Sequence, residues 1–129
     1  MQIIITGYGN FASGMLSSAK LIAGDLSRIQ VVDFIAPMDA KALAHRYHIL
    51  LKHDPRTVFF CDIVGGTPFK QAVLTKTLPD TEVAVIAGGN ISGLLAIAWR
   101  HDISKYLNTM SLAKALVSAS EAGLGIDEQ

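Results

Sequence analysis

The chain has 129 residues, 50% of them hydrophobic, which suits one domain over residues 1–129 with its own apolar core. Eleven basic and eleven acidic side chains give a formal net charge of zero, which argues against nucleic-acid binding driven by phosphate neutralisation. The lone cysteine, Cys61, excludes an internal disulfide and fits a reducing cytoplasm, and neither a signal peptide nor a membrane-spanning apolar run is visible. We therefore expect a cytoplasmic domain.

Four β-prone runs alternate with helical patterns along the chain. The predicted strands cover residues 2–6, 30–35, 57–62 and 82–87. Three of these runs are almost continuously apolar, which indicates strands that are buried on both faces, as in a parallel sheet. Because the crossovers between parallel strands are right-handed, the order predicts an α/β three-layer sandwich: a four-stranded parallel sheet with helices on both faces.

Five helices are predicted, over residues 11–23 and 39–53, from residue 67, after residue 92, and over residues 111–122. Asp39, Thr67 and Ser111 are the expected N-caps, because their side chains can accept a hydrogen bond from the first turn. The apolar stripe of the first helix is expected to include Leu21 and Ile22. Residues 102–110 fit either an irregular loop or a short antiparallel strand.

Glycine-bearing turns follow three of the strands: residues 7–10, residues 62–68 and residues 88–90. In a parallel sheet such turns lie together at the carboxyl edge, where open α/β sheets bind ligands. A helix begins after the second turn, and its free N–H groups and partial positive charge can hold a phosphate. The sequence thus predicts a small-anion or phosphoryl site at this edge.

The candidate reacting groups at this edge are Tyr8, Asp62 and Thr67. The phosphate-binding residues are expected to be Gly7, Gly9, Gly65, Gly66 and Asn90. Each turn also has a purely structural interpretation: Thr67 caps its helix, Tyr8 covers its turn, and Asn90 caps the next helix. The sequence alone leaves both interpretations open.

Other reactive side chains give weaker signals. His45 and His48 have the i, i+3 spacing of a metal pair, but no third ligand is placed beside them, so we interpret both as solvated. Cys61 lies within a buried strand pattern and is interpreted as a small core residue. Lys70 and Arg100 are the nearest candidate cations for an anionic partner. We expect no metal and no cofactor.

Residues 4–16, 61–69 and 88–91 resemble three characteristic segments of the mannose-family IIA domains of the bacterial phosphoenolpyruvate-dependent sugar phosphotransferase system. Within this family the chain is most similar to IIA proteins of amino-sugar systems such as N-acetylgalactosamine. The resemblance implies a cytoplasmic phosphoryl relay from HPr to a IIB domain, with the membrane involved only through the permease subunits. It also implies a homodimer that exchanges a short C-terminal antiparallel strand.

The resemblance places Tyr8 where the family has its phosphorylated histidine. It implies that Asp62 orients the side chain at position 8 and that Thr67 lies near the phosphoryl group. An imidazole nitrogen is nucleophilic near neutral pH, whereas a phenol has a pKa near 10 and its phosphate ester is a poorer phosphoryl donor. Tyr8 is therefore expected to block or cripple onward transfer.

Three interpretations of Tyr8 are open at this point. The chain can be a transfer-dead paralogue that acts as a regulatory or protein-interaction module, it can carry an introduced substitution, or Tyr8 can itself accept the phosphoryl group. A flavodoxin-like domain that binds a nucleotide or flavin is a further alternative. The exchanged strand would be formed either by residues 102–110 or by the extreme C-terminus, and residues such as Ile103, Tyr106 and Leu107 would then pack on a partner subunit. The sugar is not encoded here, because specificity in such systems belongs to other components.

Overall fold

A computed structural model describes residues 1–128, in which four strands alternate with five α-helices. In chain order the elements are β1 Gln2–Tyr8, α1 Phe11–Ala23, β2 Ile29–Phe34, α2 Ala40–His53, β3 Arg56–Cys61, α3 Thr67–Leu74, β4 Glu82–Ala87, α4 Ile91–Ala98 and α5 Thr109–Ala122. Every strand pair is parallel and the spatial order is β2-β1-β3-β4. The predicted α/β fold is confirmed. Across residues 1–128, none of the helices has the length and apolar character needed to cross a membrane.

The core lies in two layers, one on each face of the sheet. Because side chains alternate along a strand, Ile3 and Ile5 of β1 join one layer and Ile4 joins the other. The first layer is completed by apolar side chains of α1, α4 and α5, and the second by those of α2 and α3. This arrangement is the predicted three-layer sandwich. Helices cover both faces of the central strands β1 and β3.

Two of the expected helix caps are wrong. Gly66 is the N-cap of α3, so Thr67 is the first residue of that helix and its backbone N–H is free to bind something outside it. Helix α5 begins earlier than predicted, with Asn108 as its cap. The Asn108 side chain accepts from the Ser111 N–H at 2.8 Å while the Ser111 hydroxyl accepts from the Asn108 N–H at 3.1 Å. Ser111 is therefore the reciprocal partner in a capping box. Asp39 caps α2 as predicted, accepting from the Ala42 N–H at 2.8 Å.

The apolar stripe of α1 is narrower than predicted. Ala12 and Ala19, one heptad apart, are fully buried, whereas Leu21 is 88% and Ile22 56% exposed. Leu21 lies two residues beyond Ala19 and hence about 200° around the helix from the buried stripe. The expectation that both residues face the core is wrong, because the sheet covers only one side of α1.

Residues 102–110 form a 3₁₀-helix, Ile103–Lys105, followed by the start of α5. The antiparallel-strand alternative is thus wrong for this segment. Ile103 is 2% exposed and belongs to the core of its own chain, and Tyr106 packs against the same cluster. Of the three residues expected on a partner surface, only Leu107 is exposed.

Candidate functional site

The candidate site lies at the carboxyl ends of β1 and β3, the two central strands. From β1 the chain crosses to β2 on one side, and from β3 it crosses to β4 on the other. This reversal is the topological switch point at which open α/β sheets form a crevice. Tyr8 ends β1, Asp62 directly follows β3, and Thr67 begins α3. The structure therefore brings the three candidate reacting residues together.

Asp62 joins the end of β1 to the turn after β3. Its Oδ2 accepts a hydrogen bond from the Tyr8 N–H at 2.8 Å, and its Oδ1 accepts one from the Ile63 N–H at 2.8 Å. Both carboxylate oxygens are thus occupied by backbone donors. Asp62 contacts residue 8 through the main chain rather than through the phenol, so it can hold any side chain at that position in place.

The Tyr8 side chain points to the start of α3. Its Oη accepts a hydrogen bond from the Thr67 N–H at 2.9 Å, and the side chain remains 44% exposed. The ring also packs against Phe34, with centroids 5.7 Å apart and planes tilted by 55°. The phenol oxygen therefore occupies a helix N-terminus, the kind of place that favours negative charge.

The electrostatics of Tyr8 agree with this placement. Hydrogen bonds from Thr67, first from its side chain and then from its backbone, lower the pKa of Tyr8 below the ordinary value of a phenol, and the positive charge of Lys70 adds to the effect. The negative charge of Asp62 acts in the opposite direction. The arrangement around the Tyr8 oxygen thus stabilises an anion.

Two glycines of the site make room for close contacts. A Cβ atom on Gly66 would lie 2.8 Å from Cε2 and 3.1 Å from Oη of Tyr8. A Cβ atom on Gly7 would lie 2.7 Å from Cγ of Asp62. Gly9 and Gly65 have φ angles of +59° and +81°, which side chains disfavour. These positions shape the site, and their contact with a bound phosphate stays a prediction.

Asn90, in the third glycine-bearing turn, has its side chain fully engaged elsewhere. Its Oδ1 accepts from the Gly93 N–H at 2.8 Å, which caps α4, and its Nδ2 donates to the Ser120 carbonyl of α5 at 2.8 Å. No hydrogen bond within residues 1–128 joins its side chain to Tyr8, Asp62 or Thr67. The geometry agrees with the capping interpretation of Asn90, and its role in phosphate binding remains a prediction.

Sequence reasoning missed the contribution of β2 to this edge. Asp33 accepts two hydrogen bonds from Ser13, at 2.9 Å from its N–H and 2.6 Å from its hydroxyl, and so holds the start of α1. Phe34 pairs with Tyr8 in the β1–β2 register. Both residues lie among the last three positions of the predicted second strand, so the same carboxyl-end rule that indicated Asp62 could have found them.

The remaining reactive side chains lie outside the site. His45, His48 and His101 are exposed, and in the described part of the chain no three His, Cys, Asp or Glu side chains are grouped to hold a metal. Cys61 is fully buried, and burial raises the pKa of its thiol to about 12. It therefore stays protonated at neutral pH and behaves as the expected core residue.

The class defined by this fold is the doubly wound α/β proteins, whose binding sites lie at the switch point of the sheet. Within that class, the family described as "PTS system fructose IIA component" matches residues 2–108. The chain belongs to this mannose-type IIA family of the sugar phosphotransferase system.

Individual relatives agree with this assignment. The chain is 30% identical over 100 residues to the PTS system fructose-specific EIIA component of Bacillus subtilis, covering 75% of this chain and 68% of that protein. It is also 30% identical over 106 residues to the PTS system mannose-specific EIIAB component of Escherichia coli K12, covering 79% of this chain and 32% of that protein. The chain thus spans about a third of the longer relative.

Solved structures confirm the fold. A phosphotransferase system component EIIA from Streptococcus agalactiae superposes with a TM-score of 0.87 at 27% identity, covering 97% of this chain and 95% of that one. A mannose/sorbose-specific IIA subunit from Enterococcus faecalis superposes with a TM-score of 0.83 at 24% identity, covering 99% and 95% of the two chains.

Proposed function

We propose that this protein is the cytoplasmic IIA component of a sugar phosphotransferase system, positioned between HPr and a IIB domain, and that Tyr8 impairs the relay. The observation that carries the proposal is the hydrogen bond from the Thr67 N–H to the Tyr8 oxygen. It puts the side chain of position 8, where the family resemblance expects the phosphoryl acceptor, directly at the N-terminus of α3.

The chemistry of the relay explains the effect of the substitution. A histidine at position 8 would attack the phosphorus carried by HPr with a nitrogen lone pair, forming a P–N bond while the bond to HPr breaks. The Thr67 amide and the α3 N-terminus would stabilise the phosphoryl oxygens, and attack by a IIB nucleophile would then break the P–N bond. A phenol forms a P–O ester instead, which is a poorer donor for that second step.

The test is the intact mass of the wild-type chain and of Tyr8→His after incubation with phosphoenolpyruvate, enzyme I and HPr. We expect a gain of one phosphate in Tyr8→His and none in the wild type, because only the imidazole is a competent nucleophile near neutral pH. Circular dichroism controls for folding. A folded Tyr8→His that takes no phosphate would refute the site. If both chains gain phosphate, survival of the wild-type phosphate in mild acid would make Tyr8 itself an acceptor, and its loss would point to another histidine.

A second candidate function is a regulatory or protein-interaction module without transfer. Two apolar side chains beside Tyr8 favour it: in the turn after Asp62, Ile63 is 53% and Val64 75% exposed. Apolar side chains displayed together are typical of protein contacts. Binding of a IIB domain by the wild type, with no phosphoryl flux, would support the module. Flux from HPr through the wild type to the IIB domain would exclude it.

We also propose a homodimer in which the C-terminal segment pairs with the free edge of β4 in a second copy. Strand β4 pairs only with β3 in the described residues, and a groove of about 320 Å³ lies beside it. Leu124 and Ile126 are 76% and 81% exposed. They are two residues apart, so in an extended strand both side chains would lie on the same face.

Light scattering tests this dimer. We expect a dimer for the wild type at micromolar concentration and a monomer for Leu124→Asp/Ile126→Asp, because charges would be placed in the apolar groove. Leu107→Asp is the matched control, since Leu107 is 86% exposed and should leave the dimer intact. A monomeric wild type would refute the proposal.

A further inference from the structure

A buried hydroxyl lies below the site and contacts both elements that build it. Tyr47 of α2 is fully buried, and its Oη lies 2.6 Å from the Thr6 hydroxyl of β1 and 3.2 Å from the Pro68 carbonyl of α3. Thr6 precedes Tyr8 by two residues on the same strand, and Pro68 directly follows Thr67. One oxygen therefore joins the two segments whose outer ends form the hydrogen bond between Tyr8 and Thr67.

The direction of these hydrogen bonds follows from their acceptors. The Pro68 carbonyl can only accept, so the Tyr47 hydroxyl donates to it. Tyr47 has a single proton, and the Thr6 hydroxyl therefore donates to Tyr47. This order satisfies all three oxygens, and burial keeps the phenol protonated because it raises the pKa of Tyr47.

We propose that Tyr47 is a positioning residue, whose hydroxyl fixes the spacing between β1 and α3 and thereby aligns the Thr67 amide with the side chain at position 8. The aromatic ring packs on Phe59, with centroids 4.7 Å apart, so Tyr47→Phe would remove the hydroxyl while keeping the ring. The structural part of this proposal stands alone, and its consequence for phosphoryl transfer rests on the proposed function.

The first test measures the ionisation midpoint of the Tyr8 phenol in a pH titration. The titration is monitored by NMR of protein whose tyrosines carry ¹³C at the ring carbon that bears the oxygen. In Tyr47→Phe the Tyr8 midpoint should shift upward, in the same direction as in Thr67→Val, because the donors at α3 are no longer held against the phenol oxygen. Tyr106→Phe is the control, which identifies the Tyr106 signal and should leave Tyr8 unchanged.

A purely structural role would lower the thermal stability of Tyr47→Phe without moving the Tyr8 midpoint, and that result would overturn the proposal. If Tyr47→Phe does not fold, the same titration is made on Thr6→Val. This variant nearly keeps the side-chain volume of position 6 but removes the hydroxyl that donates to Tyr47. An unchanged Tyr8 midpoint in folded Thr6→Val would then overturn the proposal.

The second test uses the Tyr8→His background. Adding Tyr47→Phe should slow phosphate uptake from HPr by roughly ten- to a hundredfold, as small misplacements at reacting centres do. If Tyr8→His alone takes no phosphate, the proposed function fails, but the ionisation test still decides the role of Tyr47. Equal uptake with and without Tyr47→Phe would refute a role of Tyr47 in transfer.

Discussion

Replacing Gly93 with alanine is expected to destabilise the protein by about 2–3 kcal/mol, as overpacking a close contact does. A Cβ atom on Gly93 would lie 2.1 Å from Oγ, 2.7 Å from N and 2.8 Å from Cα of Ser120. Two of these are backbone atoms of α5, so rotation of a side chain cannot relieve the clash. Helices α4 and α5 would have to move apart, and this movement would break the hydrogen bond from the Asn90 side chain to the Ser120 carbonyl.

Helix propensity alone predicts the opposite sign, since alanine is about 1 kcal/mol better than glycine inside a helix. Gly14 in α1 provides the matched control, because a Cβ atom there would meet nothing within 4 Å. Urea denaturation should therefore show Gly14→Ala at or above wild-type stability and Gly93→Ala well below it. A Gly93→Ala protein as stable as the wild type would contradict the close packing of α4 and α5.

Asp62→Asn is expected to disrupt the site although it hardly changes the volume of the side chain. The carboxylate accepts one N–H with each oxygen, from Tyr8 and from Ile63. An amide has only one acceptor oxygen, so one of these backbone donors would lose its partner. Such a loss costs about 1 kcal/mol at a half-buried position, and it releases the end of β1 from the turn after β3.

The functional effect of Asp62→Asn is measured in the Tyr8→His background, as the initial rate of phosphate incorporation from HPr. We expect the rate to fall by roughly ten- to a hundredfold, because the acceptor is no longer held in line. Asp33→Asn is the control: Asp33 lies one residue before the end of the neighbouring strand but holds Ser13 rather than residue 8. If Asp62→Asn accepts phosphate as fast as its parent, Asp62 does not orient the acceptor.

The sequence predicted the strands and their parallel order because nearly continuous apolar runs of this length are typical of strands buried on both faces. It also placed Tyr8, Asp62 and Thr67 at one edge, since parallel strands end on the same side. It failed where a residue's surroundings depend on a neighbour distant in sequence. Leu21 lies in a periodic pattern, yet no element covers it. The missed Asn108 cap is a separate, local failure, because its capping-box partner is a serine rather than the usual glutamate or glutamine.

Details of the site could not be predicted from the sequence either, because they depend on contacts between residues distant in the chain. The bond between Asp33 and Ser13 exists only because β2 lies beside β1. Tyr47 lies four residues from both Leu43 and Leu51 in α2, a spacing that indicates a buried position, but periodicity does not reveal what a buried polar atom binds. A pattern can thus indicate which edge carries the site, whereas the hydrogen bonds that tune it require the tertiary structure.

The hydrogen bonds that define the site join residues far apart in the chain. Asp62 lies 54 residues from Tyr8, and Thr67 lies 59 residues from it. No local fragment can form these contacts, so they arise only once the long loop between β1 and β3 has closed and the two strands have paired. During refolding, the pKa of the Tyr8 phenol should therefore keep its value in the unfolded chain until β1 and β3 have paired. A tyrosine in the site is in this way a natural reporter of the late, non-local stage of folding.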